Sequence, residues 1–574
     1  MFRKNDQHRQ QSFLTGAEWM PKRLSQGISD SWAGAFHKQV FCRIDEQLFV
    51  DLYSDVISRP NTPVNVLVSV EIMKSGFGWS DEEVHEQVCY NLLVRHALGL
   101  DDLRAEIFTL RTLYNFRRRV REYAERNGVN LMQRVFEQVT DTQLAALALR
   151  TGWQRMDSTQ VLSNLAQWSR MELLVGVLQT AYRQLPEGLQ ASWEERLGAY
   201  LQGRPHQVCH RIPVKEQTQH MEKLGMLMSE MATELAAIDP PYDGLSLLRR
   251  VLREQFVESP EGAPRLRPAK EVSAESLQSP HDPDATYRVK GGKAHRGGYV
   301  VNASETADPE NPLQLITDVQ VEPNHTDDAQ LMKQSLEGQT EREIAVERVT
   351  TDGGYTGPAG EQACADHSVE LRATRMRGGQ SAADHWGWES YTWEMAEDGT
   401  PMRVTCPQGV AAEVRPGRSP QRFVVHFAGA SCAACPFYQS QCRVRPRMRT
   451  GPGFSIARRA IEVACQRQRL RPEDAGVRAV VEATIREIKH PFHGGKLPVR
   501  GLIRARMVIY GSALMVNLRR IHRHFTPKRD ISQPQTPVSS TSLPFVRLKA
   551  WFAGLQHLGV PVGPATAHRS MGAW

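Results

Sequence analysis

Between Val477 and His490 the chain holds no Gly or Pro, and the run Val-Arg-Ala-Val-Val-Glu-Ala-Thr-Ile-Arg-Glu-Ile-Lys reads as a helix. At ~100° per residue, Arg478, Glu482 and Lys489 fall within about 60° of one another, with Lys489 about 10 Å along the axis from Glu482. One helix face therefore carries a carboxylate flanked by two cations. A metal-holding carboxylate with a cation on either side suits a polyanion that must be both bound and cut. Two further acids lie upstream in strand-like settings, Asp157 in Arg155-Met156-Asp157-Ser158-Thr159 and Asp352 in Val349-Thr350-Thr351-Asp352-Gly353-Gly354-Tyr355.

Charge points the same way. The net charge is a modest +7, compatible with nucleic acid. It is unevenly spread, because Ile488 to Arg529 holds ten Lys or Arg and no Asp or Glu. A solvated basic face explains many such runs. Here the run starts on the helix that carries Glu482, which favours a phosphate track. The other dense basic helix is Thr109 to Val120, which repeats apolar residues at helical spacing and includes Arg111, Arg117, Arg118 and Arg119.

These pieces resemble bacterial insertion-sequence transposases of the DDE type. The Arg478-Glu482-Lys489 helix matches the R-E-K part of the Y-R-E-K signature; Ala475 stands where that group has Tyr. The order Asp157, Asp352, Glu482 matches, and Asp282-Pro283-Asp284-Ala285 and Lys293-x-His295-Arg296-Gly297-Gly298-Tyr299 add to the likeness. The resemblance spans roughly residues 40 to 525. It implies an α/β, ribonuclease-H-like mixed sheet, with Asp157, Asp352 and Glu482 as catalytic ligands of two Mg²⁺ or Mn²⁺ ions. Oxygen-only donor sets suit such hard cations. It also implies that Arg478 and Lys489 hold the DNA backbone; Arg504 and Arg506 of the basic run are expected to join Lys489 there. The helical region around Arg111, Arg117, Arg118 and Arg119 would bind the element's double-stranded ends, as a homodimer or higher synaptic assembly. Two rivals remain: a metal-dependent nuclease of the same fold, and a decayed, non-enzymatic DNA-binding protein.

The expected organisation is a flexible N-terminus (1–45), a helical DNA-binding domain (46–150), a catalytic domain (151–525) and a flexible tail (526–574). Ser80-Asp81-Glu82-Glu83 reads as a capping box. Asp157 is expected to end a short strand. The catalytic domain carries two insertions, at 165–286 and 376–460. The first is helical and then linker-like. It contains a heptad-like stripe, Met221, Leu224, Met228, Met231, Leu235 and Ile238, read as core or a helix-pairing seam. Strands are expected at 298–303 and 313–321, a helix at 327–339, a strand ending at Asp352, a helix near Gly360 and a strand at 369–373, then a last helix at 504–525.

The second insertion holds Cys406, Cys432, Cys435 and Cys442 within 37 residues, one C-x-x-C plus two. This is a candidate tetrahedral Zn²⁺ site, with His426 as a substitute ligand, that would fold an insertion lacking a core of its own. Trp386, Trp388 and Trp393 in the same segment are read as packing residues; the resemblance offers stacking on a displaced base as the alternative. The N-terminal residues show no apolar signal region, and no apolar stretch is long enough to span a bilayer. The expected place is the cytoplasm, on the nucleoid, with no membrane partner.

Overall fold

The computed structural model describes residues 1–6, 20–54, 56, 60–102, 104, 106–237, 243–258, 262–290, 293–374, 385–396, 399–419, 421–438, 440–448, 451–470 and 474–526. Ile238 of the expected stripe and the tail from residue 527 lie outside them.

The N-terminal region is helical: α1 (Lys22–Ser29), α2 (Trp32–Gln39), α3 (Val64–Phe77), α4 (Asp81–Tyr90), α5 (Leu92–Ala97), α6 (Leu110–Asn127) and α7 (Leu131–Ala146). The capping box at α4 forms as its sequence demands: Glu83 N–H donates to Ser80 Oγ, and Ser80 N–H donates to Glu83 Oε2 at 2.7 Å. Helices also occupy part of the stretch expected to be loose. Ala33 and Phe36 of α2 are fully buried, because this short helix places its apolar residues against the core.

The central sheet follows. Its strands are β1 (Trp153–Leu162), β4 (Thr286–Lys290), β5 (Lys293–Thr306), β6 (Ile316–Pro323), β7 (Arg348–Thr351) and β8 (Glu370–Ala373). A small hairpin, β2 (Phe256–Glu258) with β3 (Pro264–Leu266), lies apart from it. Within the sheet β5 pairs antiparallel with β1, β4 and β6, while β1–β7 and β7–β8 are parallel. The spatial order through the middle is thus β6-β5-β1-β7-β8. Asp157 does not end its strand. Antiparallel pairing with β5 carries β1 on to Leu162, whereas β7 stops at Thr351, one residue before Asp352.

Between β1 and β4 come α8 (Arg170–Arg183), α9 (Glu187–Leu201), α10 (Pro205–His210), α11 (Gln217–Glu234) and α12 (Asp243–Gln255). They make a helical insertion with its own core. Leu224, Met228, Met231 and Leu235 of the stripe are buried in it beside Leu174 and Leu248. One face of the central sheet is covered by α13 (Asp328–Glu341) and α14 (Pro358–Asp366), whose Met332, Leu336 and Cys364 pack with Met156 of β1.

Residues 385–457 then form a second, antiparallel sheet. Its strands are β9 (Thr392–Met395), β10 (Pro401–Thr405), β11 (Ala411–Pro416), β12 (Arg422–His426), β13 (Arg445–Met448) and β14 (Gly451–Ala457), with the short α15 (Gly429–Ala433) between β12 and β13. This corrects the expectation of a coreless knob. Tyr391, Trp393, Val404, Val425, Phe454 and Ile456 bury an apolar face, joined by Ile461 and Ala464 of α16 (Arg458–Gln468). All three tryptophans pack: Trp386 on Phe437, Trp388 on Tyr391 and Phe454, and Trp393 on Phe454.

The chain closes with α17 (Ala475–Lys489) and α18 (Leu502–Phe525). Helix α18 is buried on every side from Met507 to Leu518, the pattern of a central helix. It lies so close to α3 that a Cβ on Gly511 would come within 2.9 Å of Ser75, and one on Gly76 would strike Met515. The N-terminal helices share one continuous core with this helix and with Val301, Ala303, Val319 and Val321 of the sheet.

Candidate active site

Alternation along β1 sends Arg155, Asp157 and Thr159 to one face and Met156 and Ser158 to the other. The first face meets α17: Lys489 Nζ donates to Thr159 Oγ1 at 3.0 Å and to the Gln160 carbonyl at 3.1 Å. The second meets α13: Ser158 Oγ donates to Asp328 Oδ1 at 2.8 Å. Asp157 therefore lies on the α17 face and is buried. The parallel register pairs Arg155 with Thr350. Continued two residues, it brings Asp157 level with Asp352.

Asp352 begins a tight turn. Gly354 N–H donates to its Oδ1 at 2.7 Å, which orients the carboxylate. Helix α17 supplies the rest. Arg478 lies 2.7 Å from Glu482 Oε1, one helical turn on, and 3.9 Å from Asp352 Oδ2. One guanidinium thus stands between two of the three predicted acids and offsets their repulsion. Burial pushes the Lys489 ammonium down from its ordinary value. It sits on the Asp157 face of β1, so the predicted cations bracket the acids from both ends of α17. The three carboxylates offer only oxygen donors, the chemistry Mg²⁺ or Mn²⁺ requires. Among the described residues, no group of three or more His, Cys, Asp or Glu side chains is gathered tightly enough to hold a metal ion.

Other predicted residues are engaged elsewhere. Arg117 is ion-paired with Glu71 at 2.6 Å and Asp81 at 2.7 Å. Burial opposes its charge, but Glu71 and Asp81 prevail and raise its pKa. Arg111 and Arg118 are exposed on α6, and Arg119 lies over the Tyr53 ring. Arg506 is bound to the Val321 carbonyl and to Glu322. Arg504 is half-buried, which lowers its pKa. In the second sheet Cys406, Cys432 and Cys442 share one apolar cluster. Burial raises the Cys432 thiol, as do Cys442, Cys406 and Cys435 nearby. Val444 N–H points at Cys442 Sγ at 3.5 Å.

Two features escaped sequence reasoning. Asp328, at the start of α13, is buried, and Arg288 approaches it at 3.3 Å. A Cβ on Gly354 would lie 2.6 Å from Asp328 Oδ2 and 2.8 Å from Asp352 Oδ1, so Gly354 lets these two carboxylates flank the turn. Tyr355 beside it donates to Asn302 Oδ1 at 2.6 Å. Its hydroxyl pKa is raised far above the usual value, by burial first and then by Asp328, Asp157 and Asp352.

Residues 405–522 match the family model described as "Transposase DDE domain", and residues 33–119 match "Transposase domain (DUF772)". The two matches indicate an insertion-sequence DDE transposase. The first covers the whole of α17, with Arg478, Glu482 and Lys489, and Cys406, Cys432, Cys435 and Cys442; the second covers α2 but for its first residue, α3 to α5 and half of α6. No curated protein and no solved structure matches this chain. No helix among its described residues is long and apolar enough to cross a membrane.

Proposed function

We propose that the chain cuts DNA at the ends of its own mobile element and joins those ends to a target, using Asp157, Asp352 and Glu482 as one catalytic set. The observation that supports this is the link Asp352–Arg478–Glu482, with Asp157 and Asp352 each two residues beyond the last β1–β7 pair, Arg155 with Thr350. The strand order β6-β5-β1-β7-β8, antiparallel then parallel, supports reading the sheet as ribonuclease-H-like.

In this reading the three carboxylates would hold two Mg²⁺ or Mn²⁺ ions, whose chemistry would be to activate the attacking oxygen and stabilise the leaving one. The chain's own groups do the positioning. The Gly354 N–H fixes the Asp352 carboxylate. Arg478 holds Glu482 towards Asp352 and, with Lys489 and Arg504, draws the phosphate backbone to the acids. Exposed Arg111 and Arg118, with Arg119, hold the element's ends at α6. Arg117 serves the fold instead, and Arg506 is held by Glu322. Phosphate contacts of this kind set position, not sequence. Two or more chains bring two ends together on the nucleoid. Cys406, Cys432, Cys435 and Cys442 would hold a structural Zn²⁺; the apolar cluster shared by Cys406, Cys432 and Cys442, with Cys435 near Cys432, supports this.

The test uses duplexes carrying the inverted repeats that flank the gene. With Mg²⁺, a transposase yields products in which an end strand is joined to target DNA. Cleavage without joining would favour the nuclease, and end binding with neither would favour the decayed protein.

A further inference from the structure

We propose that Glu305 and Thr484 are positioning residues that set the register of α17, and so of Glu482, against the strand bearing Asp157. The inference rests on the catalytic reading above. Glu305 of β5 is fully buried and pairs across the strands with Arg155. Arg155 Nε donates to its Oε1 at 2.6 Å. Arg520 of α18 donates to its Oε2 at 2.5 Å. Thr484, also fully buried, donates its hydroxyl to the same Oε2 at 2.7 Å. Arg520 also reaches Thr484 Oγ1 and lies 3.0 Å from Glu487.

Two arginines and two glutamates thus close a neutral node across β1, β5, α17 and α18. Its place gives it a role. Arg155 is two residues before Asp157 on the same strand face, and Thr484 is two residues after Glu482. Hydrophobic packing of Val481, Ile485 and Ile488 is non-directional and tolerates sliding. A directional bond to a buried carboxylate does not, and a slip of one helical turn would move Glu482 by about 5.4 Å.

The gentlest probe is Thr484→Val, which keeps volume and leaves Glu305 with both arginines. Thr484→Ser restores the hydroxyl, and Glu305→Gln weakens the whole node. Each full-length variant is assayed for Mn²⁺-dependent nicking of end-bearing duplex, for end binding and for melting temperature. The Thr484→Val crystal structure gives the Asp157–Glu482 separation. The expected result is a Mn²⁺ midpoint raised about tenfold in Thr484→Val and Glu305→Gln, end binding unchanged, Thr484→Ser like the parent, and Glu482 displaced. A purely stabilising node would lower the melting temperature while the midpoint and the Asp157–Glu482 separation stayed put, and that overturns the proposal. If the parent itself does not nick DNA, the catalytic reading fails. The crystallographic separation then decides the positioning claim alone: a shift upholds it and an unchanged helix overturns it.

Discussion

Arg117 and Arg118 are adjacent in sequence and opposite in use. Arg117 is pinned by Glu71 and Asp81, while Arg118 is exposed and meets Glu122 at 3.7 Å. Arg117→Gln should therefore cost about 1.5–3 kcal/mol of stability in urea titrations, the loss of charged hydrogen bonds. Arg118→Ala should leave stability within ~0.5 kcal/mol but lower DNA affinity and reduce the salt slope by about one. A swap of these phenotypes would refute the assignment. Asp81 adds a pH signature. Burial would raise its pKa, but Arg117 and Lys74 prevail and hold it at about 2, below the ordinary 3.8. A depressed carboxylate contributes its full stability above its unfolded value and loses it as pH falls through the folded one. Acid unfolding between about pH 4 and 2 should thus be steeper in the parent than in Arg117→Gln. Sequence alone could not separate the two arginines, because Glu71 and Asp81 lie 46 and 36 residues away along the chain.

At the scale of elements, the turn after β7 carries the sharpest prediction. A methyl on Gly354 would press on the carboxylates of Asp328 and Asp352. Gly354→Ala should lower cleavage on the order of 10²-fold, since small misplacements at a reacting centre cost that much. End binding should persist, and parent-like cleavage would show that the turn does not aim Asp352. The cysteine sheet offers a second test. Metal analysis should find about one Zn per chain, lost in the Cys432→Ser, Cys435→Ser double variant; a metal-free, folded and active preparation would exclude zinc there. Helices α13, α17 and α18 were legible because local residue spacing defines them, with an Asp327 cap at α13. The core of the second sheet was not, because its strands of four to seven residues reveal a shared face only once paired. Asp157 was placed at a strand end for the same reason: pairing with Gly298 to Thr306 decides where β1 stops.

At the scale of the molecule, the N-terminal helices and the sheet share one core, with α18 running through both. A fragment beginning at residue 151 should therefore aggregate or melt without cooperativity, having lost the α3 face on which α18 packs. A soluble fragment with a sharp melting transition would show separable domains. The helix that bears Glu482 was readable in the sequence. The buried node of Arg155, Glu305, Thr484 and Arg520 was not, since its members are drawn from four distant segments. The most direct test of the central claim is strand cleavage and joining of end-bearing duplex in Mg²⁺ by full-length Asp157→Asn, Asp352→Asn and Glu482→Gln, each checked for end binding. All three should bind ends like the parent and yield no cleaved or joined strand; parent-like cleavage by any one of them would contradict the shared site.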